Sequence, residues 1–201
     1  MVKSGSIAAA VALGSILAFG GMAGCSSESS TGDGSAPIES KEDVSGGGES
    51  SENKKPEGMT PSQEQAYEKA LTYLSTMPFS HDGLVKQLEY EQFSTEDAVF
   101  AADNCGADWG EQALLKAKQY LSTMPFSQTG LSSQLQFDGF AVEDSDNAAA
   151  NVGADWTEQA TKKAKSYLDT MAFSHSQLVD QLVFDGFTSE QAEAGVVANG
   201  L

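Results

Sequence analysis

Arginine is absent from this 201-residue sequence, so all eleven basic side chains are lysines. That removes the planar bidentate fork that reads phosphates and guanine edges. Against 29 acidic residues the lysines leave a formal net charge of −18, a field that repels nucleic acid and anionic lipid and favours a basic partner. Cysteine is limited to Cys25 and Cys105, and histidine to His81 and His175. No Ser/His/Asp order or nucleophile elbow accompanies the histidines, and the acidic positions lack the alternating oxygen ligands and central glycine of an EF-hand loop. The chain is therefore expected not to be an enzyme and to use no metal, cofactor or small-molecule substrate.

Long apolar runs are also scarce. The only one lies between Ile7 and Phe19, behind Lys3 and ahead of Met22-Ala23-Gly24-Cys25. A short apolar stretch ending in small residues is an export signal rather than a membrane span. The Ala-Gly-Cys ending resembles a bacterial lipobox, in which the sulfur of Cys25 takes a diacylglyceryl group and becomes the first mature residue. Residues 1–24 are thus expected to be a lipoprotein signal peptide. Two acyl chains, at ~0.8 kcal/mol per buried methylene, suffice for stable anchoring. Residues 25–58 follow as a Ser-, Gly- and Glu-rich tether with too little apolar surface to offset its ordering entropy. As a flexible coil it reaches roughly 30 Å on average. The expected location is the outer face of the cell membrane, held there by lipid.

What the sequence has in abundance is itself. Glu64-Gln65-Ala66 returns as Glu111-Gln112-Ala113 and as Glu158-Gln159-Ala160, an interval of 47 residues both times. Residues 73–80 are matched letter for letter by 120–127, and 167–174 depart only at Asp169 and Ala172. A fixed period of this length signals a modular array, and a binding surface is far more readily built three times than an active site. Three repeats are read at 59–110, 111–157 and 158–201.

Each repeat reads as three helices. In the second, Asp108 is an N-cap with Glu111 at capping spacing. Ala113, Ala117, Tyr120, Leu121 and Met124 then form one helical stripe, which places Met77, Met124 and Met171 in the core. Pro125 ends that helix. Ser127 caps a second helix carrying Leu131 and Leu135, Asp138-Gly139 breaks it, and Phe140 plugs the core. A third, alanine-rich helix starts after Ser94 or Thr188 in the outer repeats and ends at Gly106, Gly153 or Gly200 as C′ glycines. Copy one departs at Glu91-Gln92, where the others have Asp-Gly. The fold class is all-α: three tandem helix-turn-helix-like repeats behind a disordered tether.

This combination of lipobox, Ser/Gly tether and tandem EQA…KA…YL.TM.FS…L..QL…GF…N.GADW units resembles the host cell surface-exposed lipoprotein (Ltp) family across residues 63–201. The resemblance implies an exported lipoprotein with small helical repeats. It also implies kinship with prophage-encoded superinfection exclusion proteins, which stop an incoming phage from injecting its DNA. The expected function is therefore a protein-binding module that blocks phage DNA entry, with a basic phage tail-interior or injection protein as partner. The alternative is a surface-display or adhesion lipoprotein unrelated to phage. A DNA-binding regulator is opposed by export, the missing arginine and the acidic repeats.

Trp109 and Trp156 stand at repeat junctions and suit either a hydrophobic staple or a partner-binding hot spot, the staple being the plainer reading. Glu96, Asp97, Glu143, Asp144, Asp146 and Glu190 lie where the third helices begin; capping and helix-dipole complementarity account for them, and a partner-binding acidic rim is the sharper reading. His81 and His175 are expected to be solvated. With Cys25 lipidated, Cys105 has no disulfide partner and reads as a small side chain near a helix end.

Overall fold

The computed structural model describes residues 55–201; the export signal, Cys25 and the tether up to residue 54 lie outside the described residues. Within the described part, residues 55–58 do not continue as free tether: the ammonium of Lys55 pairs with Glu64 and Glu68 on the first helix. The described chain forms nine helices, three per repeat. The first repeat holds α1 (Pro61–Thr76), α2 (His81–Tyr90) and α3 (Thr95–Asn104). The second holds α4 (Trp109–Thr123), α5 (Gln128–Phe137) and α6 (Val142–Asn151), and the third α7 (Trp156–Leu168), α8 (His175–Phe184) and α9 (Ser189–Ala198). Among these, no helix is long and apolar enough to cross a membrane.

Local chemistry sets the boundaries. Thr60 closes a capping box with Gln63 around Pro61 at the first helical position, where a missing N–H costs nothing. Asp108 and Asp155 accept from the N–H groups of Glu111 and Glu158. Helices α4 and α7 consequently start at the tryptophans, two residues ahead of the Glu-Gln-Ala string. Ser80, Ser127 and Ser174 cap the second helices, and Ser94 and Thr188 the outer third helices. Ala141 begins α6 with no side-chain cap.

Each repeat encloses its own core. The first and third helices face each other through alanines, such as Ala113 and Ala117 against Ala148 and Ala149, which lets their backbones approach closely. The second helix drives two leucines beneath them: Leu84 and Leu88, Leu131 and Leu135, Leu178 and Leu182, all 0% exposed. Phe140 and Phe187 seal the bottom at 6% and 3%.

The methionines do not join these cores, contrary to the stripe. Met77, Met124 and Met171 are 49%, 49% and 57% exposed. Met77 and Met124 are the C-cap residues of α1 and α4, with φ near −155° and ψ 151°. Extended backbone ends the 100° step per residue, so the register that turns Tyr120 and Leu121 partly into the core no longer applies one turn later. The following proline forces that geometry in the first two repeats. In the third, Ala172 replaces it and α7 ends earlier, with Asp169 as C-cap held by Lys165 at 2.9 Å.

Adjacent repeats meet through a recurrent polar junction. The hydroxyl of Ser80 donates to the carbonyl of Asp138 at 2.6 Å, and that of Ser127 to Asp185 at 2.6 Å. A helix N-cap in one repeat thus grips the end of the second helix in the next. The glycine after that carbonyl, Gly139 or Gly186, has φ 91°, a conformation that favours glycine. It also lies under the gripping side chain, since a Cβ on Gly139 would meet Ser80 Oγ at 3.1 Å and one on Gly186 would meet Ser127 Oγ at 2.8 Å. Copy one keeps the same turn without a glycine: Gln92 holds φ 71°. Trp109 and Trp156 complete the junctions, each packing from the start of its helix against the core of the preceding repeat.

Two substitutions separate core from surface. Leu131→Ala should cost about 2–5 kcal/mol in unfolding free energy, whereas Met124→Ala should stay within about 0.5 kcal/mol. Urea denaturation followed by circular dichroism measures both, and comparable losses would put Met124 back in the core.

Candidate functional site

The most regular polar constellation is a lock inside each repeat. Tyr73, Tyr120 and Tyr167 donate their phenol protons to Glu91, Asp138 and Asp185 respectively. Gln87, Gln134 and Gln181 donate to the same phenol oxygens at 3.1, 3.4 and 3.4 Å. Lys69, Lys116 and Lys163 stand 5.2–5.4 Å from the ring centroids, within cation–π range. A phenylalanine closes edge-on to each ring at 5.5–5.7 Å. Burial and the neighbouring carboxylate push the Tyr167 phenol up to about 12, and raise Tyr120 and Tyr73 as well. These phenols stay protonated at neutral pH and act as donors that tie the first helix to the end of the second.

The lock explains Glu91. At the Asp138 position it accepts the tyrosine hydroxyl and also takes Lys69 at 3.1 Å, as Asp185 takes Lys163 at 3.8 Å. Hydrogen bonds from Tyr73 and Lys69 hold its carboxyl below the ordinary range.

His81 is not the solvated residue expected. Its imidazole is half-buried in the first junction, edge-on to Trp109 at 5.4 Å, with Nε2 2.8 Å from Asp103 and Nδ1 3.2 Å from Asp82. The first-turn position that looked open in sequence is roofed by the next repeat's tryptophan. His175 has no such roof and lies 3.2 Å from Glu193. Cys105 is buried at the C-cap of α3, and desolvation raises its thiol pKa.

The acidic residues do not converge. They are distributed one repeat at a time, and no group of three or more His, Cys, Asp or Glu side chains among the described residues is placed to hold a metal ion. Asp97 accepts from the Ser62 hydroxyl at 2.6 Å and Asp146 from Ser132, so both are engaged within their repeats. Asp144 lines the cleft at the first junction with His81, Asp82 and Trp109. Glu96, Glu143 and Glu190 are exposed in the first turns of α3, α6 and α9.

The residues that pattern reading missed are Tyr90, Phe137 and Phe184, again 47 apart and 75%, 86% and 86% exposed. Each sits two positions after the second buried leucine of its helix. A 100° step per residue turns such a position to the far side of the stripe, and that offset was the available signal. In the third repeat Phe184 and Met171 line one open groove with Phe173, Gln177, Asp180 and Gln181. The recurrence of a large exposed aromatic in every repeat makes these positions the candidate contact surface, and methionine is a side chain that can adapt its shape to a partner.

The junction histidine gives a pH signature. Burial presses the His81 imidazole down, but the hydrogen bonds it donates to Asp103 and Asp82 outweigh that and its pKa stands above the ordinary value. Asp82, Asp103 and Asp144 are the charged groups around it. A raised folded-state pKa contributes stability that is fully present below about pH 6.5 and is lost as pH rises through the raised value. The unfolding midpoint of wild type minus that of His81→Gln, the residue found at position 128, should therefore shrink from pH 6 to pH 8. A pH-independent difference would show that the imidazole contributes no charge-dependent contact.

The sequence profile of the family described as "Host cell surface-exposed lipoprotein" matches three segments, residues 62–105, 108–152 and 155–196. No curated protein matches the chain. Among solved structures it is similar to that of Ltp, a superinfection exclusion protein from the Streptococcus thermophilus temperate phage TP-J34, at 44% sequence identity and a TM-score of 0.43, over 45% of this chain and 95% of that one. The profile matches fall one per structural repeat and together span more than half of the sequence, and the chain belongs to the host cell surface-exposed lipoprotein family.

Proposed function

We propose that this chain is a lipid-anchored, surface-displayed array that captures a protein and thereby excludes superinfecting phage, blocking entry of their DNA without catalysis. Cys25 carries the lipid, and the tether presents the repeats outward. The observation that carries the reading is a threefold recurrence: an exposed aromatic and an exposed methionine in every repeat, which line one groove in the third, and an exposed glutamate at the head of each third helix. The partner is a basic protein segment with apolar anchors, such as a tail-interior or injection protein that meets the membrane as DNA is released. From residue 59 onward the repeats carry twenty-one acids against seven lysines. That field speeds and selects the encounter, and the apolar contacts set its lifetime. Trp109 and Trp156 serve the junctions, and the acids of the rim contribute long-range attraction that weakens with salt.

The test is infection of cells expressing wild type or a variant with Tyr90, Phe137 and Phe184 changed to Ser. These side chains are exposed, so helix content and surface display should survive, which circular dichroism and surface labelling check. A hot-spot aromatic contributes about 2 kcal/mol, on the order of thirty-fold in affinity, so protection should collapse while adsorption is unchanged. Full protection by the displayed variant would remove these aromatics from the capture surface. A wild type that leaves DNA entry unchanged across a broad phage panel would favour the adhesion or display alternative.

A further inference from the structure

Two faces of the described repeats meet no neighbouring repeat among the described residues, and both differ from the internal junctions at the glycines. Internally, the gripping helix carries glycine at its third position: Gly83 in α2 and Gly130 in α5. A Cβ there would lie 2.8 Å from the capping serine hydroxyl, with the incoming carbonyl 3.7 Å away at Gly83 and 3.4 Å at Gly130. In α8 the same position is Gln177. Its amide turns back so that Gln177 Oε1 accepts from both the N–H and the hydroxyl of Ser174, at 3.1 and 2.9 Å. The cap from the third backbone N–H to the serine hydroxyl lengthens from 3.0 Å in the first two repeats to 3.4 Å. The hydroxyl proton that Ser80 and Ser127 send to the next repeat is thus consumed within the third.

The opposite face is altered in the complementary way. The gripped turn is Asp138-Gly139 or Asp185-Gly186 internally, and Glu91-Gln92 in the first repeat. Gln92 keeps the positive φ of 71°, a strained choice for a residue with a Cβ, although glycine occupies that place in both other copies. Its side chain projects from the position where the gripping serine comes within 3.1 Å of a hypothetical Cβ in the second repeat.

We propose that Gln92 and Gln177 seal the array, and that the surface they close recognises a second copy of this chain. The backbone of each end face is the mate of the other, as the two internal junctions demonstrate. With glycine at both positions, the third repeat of one copy would grip the first repeat of another by the same serine-to-carbonyl bond. Such a contact is heterologous and does not close, so it would propagate as a filament. Sealing both faces keeps each anchored molecule separate from its neighbours. This holds whatever the exposed aromatics bind.

The test uses the full-length chain carrying Cys25→Ala to keep it free of lipid, in three forms: Gln92→Gly, Gln177→Gly and both together. Each substitution restores the residue found at the equivalent internal position, and helix content is verified first. Internal junctions form at an effective concentration in the mM range, so sedimentation velocity is run up to about 1 mM. The parent and each single variant should sediment as one copy. An equimolar mixture of the two single variants has one open junction and should stop at the two-copy species. The double variant should give a ladder of larger species, which Ser174→Ala in that background shortens by removing the donor. A folded double variant that stays at one copy throughout, or a parent that already forms the ladder, would overturn the proposal.

Discussion

A serine hydroxyl reaching across to a helix-end carbonyl sets the form of this molecule. Ser80 and Ser127 each spend one hydroxyl on two tasks, capping their own helix and holding the next repeat. Because the accepting carbonyl belongs to a turn with positive φ, the turn favours glycine for its conformation, and the close approach of the partner adds to that preference. Because the donor sits at the start of a helix, the third residue of that helix must be small as well. The repeat interval of 47 residues is the spacing at which these demands recur.

Around this junction each repeat is nearly self-sufficient. Two fully buried leucines and a few alanines make a small core, and cores of this size are marginal alone. The tyrosine lock fastens the first helix to the end of the second, and the same Asp138 or Asp185 residue then offers its backbone carbonyl to the preceding repeat. Internal packing and the inter-repeat contact therefore share a residue, which couples neighbours beyond what their limited contact would suggest.

The architecture was legible in sequence wherever a side chain's role is local. Caps, proline stops, C′ glycines and the Leu131–Leu135 pair all follow from chemistry within a few residues, and Asp138-Gly139 ended its helix as its composition requires. Roles decided by a neighbouring repeat were not legible. His81 read as solvated because nothing near it in sequence announces that Trp109 will roof it. Met124 read as core because a periodic stripe was extended one residue past the point where the backbone leaves the helix. Phe137 was overlooked because a hydrophobic residue off the stripe was not read as a surface feature. The candidate surface now rests on three aromatics that sequence reasoning passed over, beside the acids that it named.

That surface joins the fold to the function. The tandem array turns one exposed aromatic into three, so a partner with several apolar anchors would gain avidity that no single repeat supplies. On the proposed function, the acidic surround would select a cationic partner and discourage collapse onto an anionic membrane. Placing a photo-crosslinking amino acid at position 137 of the displayed protein, and irradiating during infection, tests this most directly. A crosslink to a phage-encoded basic protein, lost when the residue is placed instead at Lys118, is the predicted result. Blocked DNA entry with no phage polypeptide attached at position 137 would contradict it.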